Sequence, residues 1–312
     1  MNLNAMKQSD IVVAIPCYNE EKTIAKVISD FRKELPDARI VVVDNNSSDN
    51  TGAVAREAGA TVFFEKKQGK GFAVQRIFDE FDGEILVLVD GDDTYMAKDV
   101  HKIVKPIMEG KADMVVGDRI HADNTNAFSN SHWWGNKFLT KSLNLFFGTN
   151  FHDMESGLRA MHKNFVYEST LLAGGFGIEP ELTIQAIEKS IVIKEVPISL
   201  SPRKEDSESK LNTVRDGTIV LYTVLSLFRD YKPLHFFSFF ALFLLILSIV
   251  LGIFALDGYF ETGIVSRIPS LVVAGFLMIA SFISFISGLI LSSIKRRHDE
   301  QVVLLRRIRN TK

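Results

Sequence analysis

The sequence predicts an α/β domain, a mostly parallel sheet flanked by helices, followed by two membrane-spanning helices. Three observations carry this. Between residues 11 and 198, short apolar β-branched runs alternate with helical patterns. Polar residues gather where several of those runs end. Two long apolar stretches then follow, at 233–256 and 268–294; the first holds one ionisable residue, His235, and the second none.

The first strand is IVVAIP (11–16). Helical spacing of Ile24, Val27, Ile28, Phe31 and Leu35 predicts a helix over 20–35. ARIVVVD (38–44) reads as a second strand, 51–59 as a second helix and ATVFFE (60–65) as a third strand. A helix over 69–81 precedes the fourth strand, EILVLVD (84–90). ADMVVGDR (112–119) and IVIKEVPI (191–198) read as later strands. Sheets of this kind bind ligands at the carboxyl ends of their strands, near a topological switch. Those ends are polar here: Tyr18-Asn19-Glu20, Asp44 through Asp49, Asp90-Gly91-Asp92-Asp93 and Asp118-Arg119. One such cluster would be a turn; four suggest a binding crevice.

The chain has 312 residues and a formal net charge of −2, which gives no reason to expect nucleic acid as a partner. Its one cysteine, Cys17, has no internal disulfide partner, which fits a reducing compartment. MNLNAMKQSD has no apolar signal-peptide core. Each long apolar stretch meets the roughly 20 residues that a helix needs to cross hydrocarbon. Buried helices of a soluble domain are the alternative, but both runs exceed their usual length. The connector 257–267 carries one basic residue, Arg267, beside Asp257 and Glu261. Lys295, Arg296, Arg297, Arg306, Arg307, Arg309 and Lys312 follow the second span, and Arg229 and Lys232 precede the first. The positive-inside rule therefore places the large domain and the tail in the cytoplasm, as a multi-pass plasma-membrane protein. The expected parts are a catalytic domain (1–211), an interfacial amphipathic helix (212–232), the spans (233–294) and a basic tail (295–312). Trp133-Trp134 with 137–148 form a second candidate surface helix, or ordinary core.

Asp90, Asp92 and Asp93 follow a strand whose apolar run reads as buried. A turn would explain Asp-Gly-Asp by itself. Two carboxylates roughly 4 Å apart, however, repel by about 4 kcal/mol at an effective dielectric near 20. A divalent cation between them relieves that repulsion, and hard oxygen ligands suit Mg²⁺ or Mn²⁺ with substrate phosphates.

PCYNEE, VVVDNNSSDNT, LVDGDDTY, VVGDR, DMESGLRA, GIEPELT, EVPI and SPRKEDSESKL stand in that order between residues 16 and 211. In this the chain resembles family 2 glycosyltransferases with the GT-A fold, in the branch acting on polyprenyl phosphates. It departs from the pattern at Asn45-Asn46, where Asp-Gly is usual. The resemblance implies a nucleotide pocket of Pro16, Tyr18, Glu20, Asp44, Lys70, Asp90 and Gly91. It implies a metal site at Asp90 and Asp92, with Asp92 and Asp153 as the catalytic acids. Arg119 and Arg159 would face phosphates, Glu179 or Glu181 the sugar hydroxyls, and Arg203, Ser209 and Lys210 the acceptor phosphate. Asp153 has a helix-capping alternative, and the run around Arg203 a solvated-loop alternative.

The implied reaction is metal-dependent inverting transfer of a hexose from a nucleotide-diphosphate sugar, UDP-glucose or UDP-N-acetylglucosamine by default, to a polyprenyl phosphate. The implied partners are donor, acceptor, bilayer and further copies of the chain. A different lipid or glycan acceptor, or a silent scaffold of the same fold, is the alternative. A processive polysaccharide synthase is disfavoured: no QxxRW motif and no further spans are present.

Overall fold

The computed structural model describes residues 7–120, 130–171, 177–201, 213–257, 259, 263–265 and 267–310. They fall into two compact units, Met1–Val224 and Leu225–Lys312.

The first unit is built on strands β1 (Ile11–Cys17), β2 (Arg39–Asp44), β3 (Thr61–Phe64), β4 (Ile85–Leu88), β5 (Met114–Asp118), β6 (Arg159–His162) and β7 (Ile193–Pro197). Among the described residues they form one sheet in the order β3-β2-β1-β4-β6-β5-β7. β1 pairs in parallel with β2 and β4, β2 with β3, and β5 with β7. β6 runs antiparallel between β4 and β5. The mostly parallel sheet expected from the sequence is present, with this one reversed strand unforeseen.

The unit's helices are α1 (Ile24–Glu34), α2 (Thr51–Glu57), α3 (Lys70–Glu80), α4 (Val100–Met108), α5 (Asn130–Phe147), α6 (Lys163–Glu168) and α7 (Ile178–Glu188). One apolar layer packs Ile24, Val27, Ile28 and Phe31 of α1 with Ile103 and Ile107 of α4 against Val13, Ile15 and Val87. The other packs Ala73, Val74 and Ile77 of α3 with Leu182 of α7 against Ala14, Leu86 and Met161. Because both faces are covered, β1 and β4 are buried throughout, as their unbroken apolar runs predict. Helix α1 starts later than its periodicity suggests. Residues Glu20–Thr23 form a turn first, with the amides of Thr23 and Ile24 both donating to the Glu20 carbonyl.

Helix α8 (Thr213–Tyr231) runs across the boundary of the units. The second unit holds α9 (Pro233–Leu256) and α10 (Ile268–Asn310), both long and apolar enough to cross a membrane. The two helices pack through small residues and bond to each other. Ser248 Oγ donates to the Ala274 carbonyl at 2.7 Å, Ser281 Oγ to Ala241 at 2.7 Å and Ser284 Oγ to Phe237 at 3.0 Å. Helix α10 continues well past the apolar stretch into the basic sequence. The side chains of Trp133 and Trp134 lie outside the described residues.

Candidate active site

The parallel order β2-β1-β4 brings three strand ends side by side, with Cys17 opposite Asp44 in the ladder. The ladder with β4 stops at Leu88, after which the chain turns and Asp90 to Asp93 leave the core. A cleft of about 290 Å³ opens there. Pro16, Cys17, Tyr18, Glu20, Asn45, Lys70, Ala73, Asp90, Gly91 and Asp92 line it. Six of the seven residues expected in the nucleotide pocket are therefore on its wall. The seventh, Asp44, stands at the base of the adjoining loop. It accepts a hydrogen bond from the Ser47 amide at 3.0 Å and presses against Gly52, where a Cβ would lie 2.6 Å from its Oδ2.

Asn45 ties this loop to the start of α3. Its Nδ2 donates to the Lys67 carbonyl at 2.6 Å, and its Oδ1 accepts from the Gly69 amide at 2.7 Å. Gly69 has φ 140°, a conformation that L side chains rarely adopt. Braced in this way, the first turn of α3 directs Lys70 onto Asp90, 2.5 Å from Nζ to Oδ1, and onto Glu179 of α7. Burial opposes the Lys70 charge, but Asp90 and Glu179 outweigh it and hold the ammonium above the usual lysine range.

Two acids of the cleft, Glu20 and Asp92, are held toward their neutral forms. Burial, with Asp92 and Asp90 beside it, pushes the Glu20 carboxyl up to about 7. Burial, with Asp90, raises Asp92 as well. Gly91 and Gly157 permit the crowding. A Cβ on Gly91 would meet Cys17 Sγ at 2.6 Å, and one on Gly157 would strike the Asp90 carboxylate. The Gly157 amide is held by donating to Tyr95 Oη at 2.7 Å.

A second cluster forms at the end of β5. The Arg119 guanidinium grips Asp153, with Nε 2.6 Å from Oδ2 and Nη2 2.8 Å from Oδ1. Asn136 of α5 adds a donor to Oδ1 at 2.9 Å. Asp153 has no exposed surface. Burial would raise its carboxyl, yet Arg119 and Asn136 keep it below the ordinary carboxylate range. Glu155, two residues on, is supported less by Arg119. Burial raises it to about 7, Asp153 and Glu179 adding to the effect and Arg119 opposing it.

Two of the expected site residues lie in the interior. Arg159, expected to face a phosphate, is fully buried and donates to the carbonyls of Ser156 and Met154 and to Thr183 Oγ1. As first residue of the unforeseen strand β6, it braces the 153–159 turn from inside. Glu181 is likewise buried and accepts from Gln185 of its own helix, so Glu179 is the acid of that pair beside Lys70. Arg203, Ser209 and Lys210 lie outside the described residues. The sequence reading passed over Asn45 as a bracing residue, and gave no role to Glu155, Asn136 or Glu195. Glu155 and Glu195 were visible inside DMESGLRA and EVPI, but nothing in their spacing gave them a role.

The sequence profile described as glycosyl transferase family 2 matches residues 12–169. The chain belongs to this family. This family 2 glycosyltransferase is 34% identical to the glycosyltransferase AglJ of Haloferax volcanii over 73% of its own length and 75% of that relative. It is 29% identical to the dolichyl-phosphate hexose transferase of the same organism, over 68% of its length and 90% of the relative's. Among solved structures it matches glucosyl-3-phosphoglycerate synthase of Mycobacterium tuberculosis, with a TM-score of 0.56 at 23% identity. That match spans 70% of this chain and 79% of the other, whose crystals held Mn²⁺, UDP-glucose and phosphoglyceric acid. The shared fold is GT-A.

The donor set in the cleft fits a hard divalent cation. Asp90 and Asp92 offer carboxylate oxygens, and burial and crowding make the charges on Asp92 and on Glu20 beside it costly. Among the described residues no group of three or more His, Cys, Asp or Glu is gathered so as to hold a metal ion together. An ion here would be held by one or two carboxylates and completed by substrate phosphates.

Proposed function

We propose that this chain is a membrane-anchored transferase moving a hexose from a nucleotide-diphosphate sugar to a polyprenyl phosphate, with inversion at the anomeric carbon. The observation that carries the reading is the cleft at the ends of β1, β2 and β4. It combines a crowded Asp90-Asp92 pair with the Lys70 cation at the place where open α/β sheets bind nucleotides. The relatives' names support a polyprenyl-phosphate acceptor, and the two apolar helices support an anchor.

In this reading Pro16, Tyr18 and Asp44 hold the nucleoside, and Asp90 and Asp92 hold Mg²⁺ or Mn²⁺. The ion, when bound, neutralises charge on the departing diphosphate. The acceptor's phosphate oxygen forms the new bond to the anomeric carbon, and the nucleoside diphosphate leaves with the electron pair of the broken C–O bond. Because that oxygen is already anionic near neutral pH, no strong base is needed. This fits Asp153, whose two oxygens are engaged by Arg119 and Asn136. Its role is to hold Arg119 toward the anions. Lys70 leaves Asp90 for the diphosphate when donor binds, and Glu179 orients sugar hydroxyls. Arg203, Ser209 and Lys210 receive the acceptor phosphate. The catalytic domain and the tail face the cytoplasm.

The test is a donor screen with the purified full chain, undecaprenyl phosphate and Mg²⁺ or Mn²⁺, comparing UDP-glucose, UDP-N-acetylglucosamine and GDP-mannose. One donor is expected to give a mild-acid-labile labelled lipid, lost in Asp92→Asn. Absence of lipid product with every donor, or undiminished turnover in Asp92→Asn, rejects the reading.

A further inference from the structure

We infer that Glu195, on the strand farthest from the nucleotide cleft, is a positioning residue for the Arg119–Asp153 pair; this rests on the transferase reading above. β7 is an edge strand, and Glu195 lies opposite Val116 of β5 in the ladder. From there its carboxylate reaches the backbone before the 153–159 turn. Oε1 accepts from the Asp153 amide at 2.9 Å and from the His152 amide at 2.9 Å, and Oε2 accepts from the His152 amide at 3.0 Å. The His152 ring closes the arrangement, with Nδ1 3.5 Å from Glu195 Oε2 and 3.4 Å from Asp118 Oδ2.

Asp153 is thus held at two places by two strands. Glu195 of β7 fixes its amide, and Arg119, just past the end of β5, fixes its carboxylate. The Arg119 amide also donates to Asp153 Oδ2 at 3.2 Å. Since Arg119 is oriented through Asp153, and Asp153 through Glu195, the location of the guanidinium is set from the sheet edge. A carboxylate suits this task because each oxygen accepts more than one hydrogen bond. Burial of the acid raises its pKa, and the two amides work against that. Positioning of this kind has a characteristic kinetic signature. A small misplacement of a group engaged at the reacting centre lowers kcat more than it raises the donor KM, which is set mainly by the cleft around Asp90 and Lys70.

The experiment compares Glu195→Gln and Glu195→Asp in the full-length chain, with donor KM, kcat and amide hydrogen exchange over residues 150–156. Gln keeps the reach and one oxygen for the two amides. Asp keeps the charge but is shorter by one methylene. The expected result is a kcat loss of about tenfold or more in Glu195→Asp, at a donor KM within about twofold of the parent, and substantial recovery in Glu195→Gln. Exchange at His152 and Asp153 should rise in the Asp variant and stay close to the parent in the Gln variant. Equal kcat loss in both variants, unchanged kcat in Asp, or unchanged exchange would each overturn the inference. If the parent transfers no sugar to polyprenyl phosphate, the transferase reading fails by itself, and the exchange data still decide whether Glu195 holds these amides.

Discussion

Arg119 and Asp153 meet side on, two guanidinium nitrogens against two carboxylate oxygens, inside a pocket that leaves Asp153 no exposed surface. A buried, paired carboxylate of this kind is a structural commitment. Removing its charge leaves the Arg119 cation without its principal partner.

Asp153→Asn is therefore expected to destabilise the catalytic domain by about 3–5 kcal/mol, the usual range for breaking a buried pair from one side. The parent should show a matching acid sensitivity. The Asp153 carboxyl lies below its unfolded value, so its contribution is present above about pH 4 and is lost as pH falls through the folded value. Thermal melts of parent and variant should converge in acid. Curves that stay a constant distance apart down to the lowest workable pH would refute this.

Gly157→Ala tests the placement of Asp90. The new methyl group would strike the Asp90 carboxylate, while the backbone is held by the Tyr95 hydroxyl. Overpacking of this size costs about 1–3 kcal/mol, or displaces the acid. Calorimetric titration of UDP in Mn²⁺ should show affinity lowered about tenfold or more, since a factor of ten is about 1.4 kcal/mol. Parental affinity would mean that Asp90 does not hold the ion.

Asn45→Asp installs the residue usual in the family at this position and should nevertheless harm this chain. Nδ2 now donates to the Lys67 carbonyl; a carboxylate oxygen there would face another acceptor. The unmade bond costs about 1–3 kcal/mol and loosens the turn that aims Lys70. A lower melting temperature together with a raised donor KM is expected. A variant as stable as the parent would show that the bond contributes little.

The cleft acids make a statement about pH and metal together. Glu20, raised to about 7, and Asp92, raised as well, bind protons more tightly in the folded chain than in the unfolded one. Stability from this cluster is greatest below the ordinary carboxyl range and declines as pH rises toward 7. A divalent cation offsets the exposed repulsion only when the acids are ionised. Mn²⁺ should therefore raise the melting temperature more at about pH 7.5 than at about pH 5. Equal gains at both pH values would count against ion binding at these acids.

How much of this was legible in the sequence depends on the range of the interaction. β1, β2 and β4 announce themselves because a strand covered on both faces must be apolar throughout, and their polar ends mark the cleft. β6 is hidden: four residues, Arg-Ala-Met-His, with no run and no alternation, made a strand by partners on both sides. Missing it meant missing why Arg159 is interior. The same applies to Glu195, whose partners are backbone amides more than forty positions away in sequence. Local pattern reports which face is apolar; it carries no record of what a polar side chain finds across the sheet.

The serine bonds between α9 and α10 also bear on how the chain is assembled. Ser248 of α9 and Ser281 and Ser284 of α10 find their acceptors on the other helix, so a lone helix would have only its own turn to satisfy them. In the membrane-anchored reading proposed above the two helices would act as one clasped unit, so deleting either is expected to leave the other's hydroxyls without these acceptors.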